Sequence, residues 1–171
     1  MKVVSLIFCA LALPLFCNGQ HASEDISPAQ LQTVIDLPLG QAVEQRETYK
    51  APLRAAYDRQ ITMTGKDCQA ESKAGQQPYN VCMGQAYVQA DKDSAVFYRN
   101  LQMLCHNQDQ LSTLQASQRA WLTYADSAMK AAHACWPDGS GAPGFVAGVY
   151  LSLVRNHMRE LNEIYGLNIA Q

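Results

Sequence analysis

Two pairs of neighbouring cysteine and histidine residues are the part of this chain whose types best suit metal chemistry. Cys105 and His106 are adjacent, and one residue separates His133 from Cys135. Two thiolates and two imidazoles form a ligand set for tetrahedral zinc. The spacings are not those of a standard zinc finger, because adjacent helical residues point in different directions. We therefore favour a Cys105–Cys135 disulfide over zinc, and we predict no metal site and no other cofactor.

Carboxylates offer a second possible chemistry, the cleavage of a glycosidic bond, which needs two carboxyl groups facing each other. Asp91 and Asp93 are two residues apart, so on a helix their side chains diverge by roughly 200°. Nothing in the sequence selects a partner from the acids of other helices, which are Asp126, Glu160 and Glu163. We predict that these acids are solvated or cap helices. His157 lies on an apolar helix stripe and is predicted to be a hydrogen-bonded core residue.

Common catalytic motifs are missing from the sequence. It contains no Gly-rich phosphate loop, no G-x-S-x-G, no H-E-x-x-H and no C-x-x-C-H. The chain has 13 Lys and Arg against 15 Asp and Glu, a net charge of -2. Proteins that bind nucleic acid neutralise phosphates with a basic surface, which this balance does not supply. We therefore predict a protein that is neither an enzyme nor a nucleic-acid binder.

The first 19 residues have the pattern of an export signal. Met1-Lys2 is positively charged, and the apolar run Leu6–Phe16 is shorter than the ~20 residues of a membrane span. We predict cleavage after Gly19 and a periplasmic or secreted protein, with no transmembrane segment in the mature chain. Lipidation of Cys17 fits less well, because a bulky phenylalanine precedes it. Cleavage leaves 12 basic and 15 acidic residues, a net charge of -3.

Four cysteines remain after this cleavage, and an even number in an exported chain predicts two disulfides. Three pairings are possible. We favour Cys68–Cys82, which closes a loop before a long helix, together with Cys105–Cys135, which joins the two ends of the following helix. On the loop-entropy estimate the first bridge would stabilise the fold by ~3 kcal/mol and the second by ~3.5 kcal/mol.

Helical periodicity and turn residues divide the mature chain into two parts. Residues 20–66 are predicted to be an N-terminal arm and a first helical segment. The arm is loosely packed as far as Gly40 and contains a short helix, Pro28–Ile35, which Ser27 caps. A second helical stretch follows over residues 43–63 and is interrupted at Pro52.

Residues 67–166 are predicted to be the main helical domain. The polar run after Cys68 indicates a loop, and Pro78 then begins a long helix to Leu104, whose apolar stripe Asp93 interrupts. Asp109 is a candidate cap for the next helix. The last helix covers residues 143–165, with an apolar stripe that begins at Phe145. The fold class is therefore all-α, a small disulfide-clamped bundle of about four helices.

The loop between the last two helices is the clearest turn region of the chain, with two prolines and three glycines within residues 135–144. It is our candidate for a partner-binding loop. Trp136 offers an aromatic anchor, and Asp138 and Ser140 offer polar contacts. The alternative is a plain interhelical turn that its two prolines stiffen.

A run in the penultimate helix resembles the central signature of a known family. Leu114 is followed by Gln118-Arg119, by Trp121-Leu122 and by Tyr124. This order is similar to that of the lysozyme inhibitor LprI-like family of small exported bacterial proteins. The frame around it is also similar: Asp67-Cys68, then Cys82 and, in the long helix, Asp91 and Tyr98. The resemblance covers residues 67–161.

The chain departs from the family pattern in several places. Ser94-Ala95 replaces the usual Leu-Asn, and Ala125 replaces an expected arginine. The family's second cysteine pair falls on Met129 and Tyr150, which cannot form a bridge. Because Cys105 and Cys135 are extra, we hypothesise that one disulfide clamp has been exchanged for another.

The resemblance implies an exported, non-catalytic protein that binds and blocks lysozyme or another peptidoglycan hydrolase. Two alternatives share the same fold and address. One is an immunity protein against a different exported toxin, and the other is a structural protein of the cell envelope without a catalytic partner.

Overall fold

The computed structural model describes residues 25–169, and the predicted signal peptide and its cleavage site lie outside them. These residues contain helices and no strand, so the predicted all-α class is confirmed. The helices number six over the described range rather than about four. None of them is long and apolar enough to cross a membrane. In chain order they are α1 (Pro28–Ile35), α2 (Leu39–Thr62), α3 (Gln69–Ala74), α4 (Gln76–Leu104), α5 (Gln108–Cys135) and α6 (Ala142–Ile164).

Helix α4 is the centre of the bundle, because it packs against both α2 and α6, while α5 packs mainly against α6. Its predicted apolar stripe is buried, with Phe97 and Leu101 both at 1% exposure or less. Burying such side chains removes apolar surface from water and supplies most of the stabilisation of a small bundle. The other helices contribute fully buried core residues, among them Leu53, Leu111, Leu114, Tyr150, Leu151 and Val154.

The short helix α1 has the predicted bounds, and its start is fixed by a capping box. The Ser27 hydroxyl accepts from the Gln30 N–H, and the Gln30 side chain accepts from the Ser27 N–H. The prediction that this segment is loosely packed is wrong. Leu31 and Val34 are 1% and 3% exposed, and α1 contacts α2, α4 and α5. Two apolar residues three apart are enough to bury one face of two helical turns.

Two predicted boundaries in the next segment are also corrected. Helix α2 continues through Pro52 without interruption, because a proline removes only one backbone donor from a long helix that packing supports. The predicted loop after Cys68 contains α3, and α4 begins at Gln76, two residues before Pro78. Gly75, at φ +126°, separates these two helices in a conformation that favours glycine. Helix α5 is capped by Asn107, whose side chain accepts from the Gln110 N–H, and not by Asp109.

The predicted disulfide between Cys68 and Cys82 is confirmed, with the two Cα atoms 5.8 Å apart. Cys68 is the N-cap of α3 and Cys82 lies in the second turn of α4. The bridge therefore holds the short α3 against the beginning of the central helix.

The predicted Cys105–Cys135 disulfide is wrong, because both residues are free cysteines, Cys105 buried and Cys135 exposed. Cys105 lies just before α5 and Cys135 is the last residue of that helix, which has 28 residues. A helix of this length spans about 42 Å, whereas a disulfide needs Cα atoms within about 7 Å. The hypothesis of an exchanged clamp fails for the same reason, as does the zinc set that joined Cys105 and His106 to His133 and Cys135.

We predict that the two free thiols react in two separate steps with an aromatic disulfide reagent. Cys135 is exposed, whereas Cys105 is 1% exposed and burial raises the pKa of its thiol to about 11. The unreduced mature protein should release about one equivalent of thiolate when folded and about two in denaturant. Cys135→Ser should abolish the first step. Release of no thiolate in denaturant would show that these cysteines are bridged after all.

Candidate functional site

The predicted partner-binding loop joins α5 to α6 over residues 136–141. Trp136 is the C-cap of α5, and its N–H donates to the His133 carbonyl oxygen at 3.1 Å. Gly139 has φ +141°, and its carbonyl oxygen accepts from the Ala142 N–H, which begins α6. The three residues predicted to make contact, Trp136, Asp138 and Ser140, are all exposed. The loop therefore presents these residues to solvent in a defined turn.

The beginning of α4 holds this loop in place. The Asn80 side-chain amide donates to the Ser140 carbonyl oxygen at 2.5 Å. Gly144 in the first turn of α6 packs on Tyr79, and a Cβ atom at position 144 would lie 2.6 Å from the Tyr79 ring and 2.8 Å from the Asn80 side chain. Only glycine allows so close an approach without displacing these side chains. Because the Cys68–Cys82 bridge lies in the same part of α4, the loop rests on a cross-linked support.

Trp136 of the loop and Phe145 in the first turn of α6 form an exposed aromatic pair. The Trp136 and Phe145 rings lie 5.6 Å apart between centroids and are tilted by 32°, a separation typical of favourable aromatic pairs. Their side chains are 51% and 42% exposed. Phe145 was predicted to lie on the buried stripe of α6, which is wrong because the buried residues of this first turn are Ala142 and Gly144. Its position next to a glycine- and proline-rich loop was the signal that pointed to a surface role.

The middle parts of α5 and α6 meet at two buried polar side chains, Gln118 and His157, and the partly buried Trp121. The Trp121 ring stacks on the His157 ring, with centroids 4.4 Å apart and planes 7° from parallel. The His157 Nε2 lies 2.9 Å from the Gln118 side-chain oxygen. Burial lowers the pKa of His157 to about 4, so the ring is neutral at pH 7. The predicted role of His157 as a hydrogen-bonded core residue is confirmed.

Residues 68–161, more than half of the chain, match the family model described as lysozyme inhibitor LprI. The chain belongs to the LprI family. The matched range is within one residue of the one that the sequence analysis predicted. Neither the comparison with curated proteins nor the comparison with solved structures finds a match.

The LprI signature residues of α5 occupy both faces of the helix. Leu114 and Gln118 are buried, Trp121 and Leu122 are partly buried, and Tyr124 is 60% exposed. Arg119 faces the N-terminal segment, where its Nη1 lies 3.5 Å from an Asp25 carboxylate oxygen. The α4 signature residue Tyr98 donates from its hydroxyl to the other Asp25 oxygen at 2.9 Å. Two residues of the LprI range thus converge on a residue outside it.

The two α4 carboxylates of this LprI protein bind different neighbours, as their predicted divergence requires. Asp91 accepts a hydrogen bond of 2.7 Å from the Tyr150 hydroxyl on α6. Asp93 is 1% exposed and pairs with Arg59 on α2 at 2.7 Å. The Gln60 and Gln89 amides also donate to Asp93, at 2.8 and 3.1 Å. The prediction of a solvated or capping acid is therefore wrong for Asp93, which stays on the apolar stripe because three side chains donate to it.

A largely buried ion pair between Arg155 and Asp67 was not predicted from the sequence. Arg155 on α6 donates to both carboxylate oxygens of Asp67, at 2.5 and 2.7 Å. It also donates to the Gln60 side-chain oxygen at 3.4 Å. Arg155 lies on the face of α6 that the structure buries, and its partner is 88 residues away in the sequence. These bonds tie the end of α2 and the turn before α3 to the middle of α6.

The structure brings together no predicted metal set in residues 25–169. The one group there with metal-ligand spacing is Cys68, Glu71 and Cys82, and a disulfide occupies both of its sulfur atoms. A groove of about 930 Å³ lies at the other end of α5, between the first half of α2 and residues 164–169. It is lined by neither the candidate loop nor the signature residues, so it is a separate feature.

Proposed function

We propose that this protein is an exported, non-catalytic member of the LprI family that binds and occludes a peptidoglycan hydrolase, lysozyme being the first candidate. The observation that carries the proposal is the LprI match over residues 68–161, since this family is described as lysozyme inhibitors. The matched range contains the exposed Trp136 loop, its support on α4 and the cross-link below it.

The absence of catalysis is supported by the use that the fold makes of its reactive side chains. Asp91, Asp93 and His157 all have partners within the bundle, and the last two are at least nine-tenths buried. A catalytic site needs such groups to converge on a space that a substrate can enter. Among the described residues these three are instead directed towards different neighbours in the core.

The proposed contact surface is the aromatic pair of Trp136 and Phe145, with Asp138 and Ser140 as polar contacts beside it. Tryptophan is the side chain most enriched where a few residues supply most of the binding energy. The Asn80 bond and the Gly144 contact fix the loop before binding, so little conformational freedom is lost when the partner binds. The net charge of -3 in the mature chain is small, and we expect apolar contact to dominate over electrostatic steering.

We predict that Trp136→Ala raises the inhibition constant for the target hydrolase at least ~30-fold, the effect of losing a hot-spot side chain worth about 2 kcal/mol. The measurement is the rate at which lysozyme clears a cell-wall suspension over a range of inhibitor concentrations. Leu39→Ala is the matched control, because Leu39 is 83% exposed and lies outside the matched range. Equal inhibition by wild type and Trp136→Ala would remove the loop from the proposal.

A pull-down from envelope extract with the wild-type protein distinguishes the partner classes. We expect lysozyme or another peptidoglycan hydrolase on wild-type resin and its loss on Trp136→Ala resin. A toxin with a different target would instead indicate an immunity protein. Capture of envelope components with no hydrolase among them would favour a structural role.

A further inference from the structure

The backbone of the first described residues is held by side chains from two helices, in the manner of a bound peptide. The Ile26 N–H donates to the side-chain oxygen of Gln102 on α4 at 3.0 Å. The Ile26 carbonyl oxygen accepts from the side-chain amide of Gln115 on α5 at 3.0 Å. Gln115 also donates to Gln102 at 3.0 Å, and Gln102 is fully buried. The side chains of Gln102 and Gln115, which are hydrogen-bonded to each other, therefore bind the backbone N–H and carbonyl groups of Ile26.

Asp25, the residue before Ile26, is bound through its charged carboxylate. The Asp25 carboxylate accepts from the Tyr98 hydroxyl at 2.9 Å and pairs with the Arg119 guanidinium at 3.5 Å. Burial and the Asp25 hydrogen bond both raise the pKa of Tyr98, so its hydroxyl remains a donor. We name the four residues Tyr98, Gln102, Gln115 and Arg119 the clamp.

Three apolar residues that follow Asp25 are buried against the bundle. Ile26, Leu31 and Val34 are 6%, 1% and 3% exposed, and the Ser27 capping box begins the helix that places the last two. A segment with an acidic residue, an apolar residue, a Ser-Pro cap and one apolar helix face thus meets a complementary surface. We name residues 25–34 the latch.

We propose that the surface formed by the clamp residues of α4 and α5 is a peptide-recognition site, and that the latch is its built-in ligand. All four clamp residues lie within the family-matched range 68–161, whereas the latch lies outside it. Residues 36–38, which include Pro38, connect α1 to α2. The latch is therefore joined to the rest of the bundle through a connection of three residues. The site accepts a peptide with a carboxylate directly before an apolar residue and a capped helical turn.

The latch competes for the clamp with any separate peptide of the same chemistry. The apparent affinity for such a peptide equals the intrinsic affinity multiplied by the fraction of molecules in which the site is open. Weakening the latch without touching the clamp must therefore strengthen binding of the same sequence supplied as a separate molecule.

The test uses a fluorescently labelled peptide with the sequence of residues 24–36 and the mature full chain. The variant Ile26→Ala/Leu31→Ala, which weakens only the latch, should bind this peptide at least tenfold more tightly than the wild type does. A peptide carrying Asp25→Asn should bind that variant at least fivefold more weakly than the unmodified peptide. Absence of saturable binding by a variant with native circular dichroism would overturn the proposal, as would equal binding of the two peptides.

A second measurement on the wild-type protein decides the question if the double variant does not fold. Hydrogen exchange of the Ile26 amide is followed in isotope-labelled protein with and without a large excess of unlabelled peptide 24–36. Displacement of the latch should accelerate this exchange at least threefold, and the Asp25→Asn peptide should have less effect. Unchanged exchange at a saturating peptide concentration would contradict the proposal. Both readouts are independent of hydrolase inhibition.

Discussion

Replacing Arg155 with methionine is expected to lower the free energy of unfolding by about 3 to 5 kcal/mol, the cost of breaking a buried ion pair on one side. The Arg155 side chain is 6% exposed and that of Asp67 is 12% exposed. Without the guanidinium, the Asp67 carboxylate loses two hydrogen bonds and keeps its charge in a largely buried position. A domain of this size has only about 5 to 15 kcal/mol of stability in all.

Urea unfolding followed by circular dichroism measures this effect. Arg159→Met is the matched control, since Arg159 on the same helix bonds to Thr64 and Asn156 near the surface and should cost less than about 1 kcal/mol. The double variant Asp67→Leu/Arg155→Met should recover part of the loss, because an apolar pair leaves no buried charge. A loss below 1 kcal/mol for Arg155→Met alone would show that the pair does not stabilise the fold.

Lowering the pH from 6.5 to 4 is expected to remove roughly 3 kcal/mol of stability through His157 alone, at about 1.4 kcal/mol for each pH unit. Burial lowers the pKa of His157 from 6.5 to about 4 in the folded protein. The unfolded chain therefore binds a proton at a higher pH than the folded chain does. The contribution of His157 is fully present above pH 6.5, decreases as the pH falls and levels off below about 4.

Three residues lie close to the His157 ring and determine how easily it can be protonated. Gln118 bonds to Nε2, the Trp121 ring covers one face, and Glu160 lies 3.7 Å from Nδ1. Glu160 attracts the protonated ring only weakly, because its side chain is 68% exposed to solvent. Desolvation therefore dominates, and the neutral ring is preferred.

The measurement is the unfolding free energy of wild type and His157→Gln between pH 7.5 and 4. The variant should lose less stability than wild type over the interval from 6.5 to 4, since glutamine can bond to Gln118 but does not titrate. All other residues are the same in both proteins, so the difference between the two profiles isolates the contribution of His157. The His157 ring resonance should titrate near pH 4. Parallel stability profiles and a midpoint near 6.5 would each contradict a buried neutral imidazole.

Much of the fold was predictable from the sequence because its signals are local. Ser27 and Pro28 predict the start of α1, and the apolar stripe of α4 predicts which of its faces is buried. The Cys68–Cys82 bridge closes a short loop between neighbouring elements. Each of these features depends on residues within a few turns of one another, where helix geometry alone brings side chains together.

The errors of prediction have physical causes of two kinds. A Cys105–Cys135 bridge is incompatible with the length of the helix predicted between these two residues. The sequence was therefore sufficient to reject it. The solvated role of Asp93 and the loose arm failed for a different reason. Burial of a carboxylate or of a short segment depends on which distant side chains meet it, and periodicity does not contain that information.

The sequence by itself determined the helical class, the position of the main helices, the short-range disulfide and the family to which residues 68–161 belong. Only the tertiary structure decided that Arg155 meets Asp67, that Phe145 joins Trp136 on the surface and that Asp25 lies between Tyr98 and Arg119. Hydrogen bonds and ion pairs act over a few ångströms, so partners 73 to 94 residues apart are chosen by the packing of whole helices.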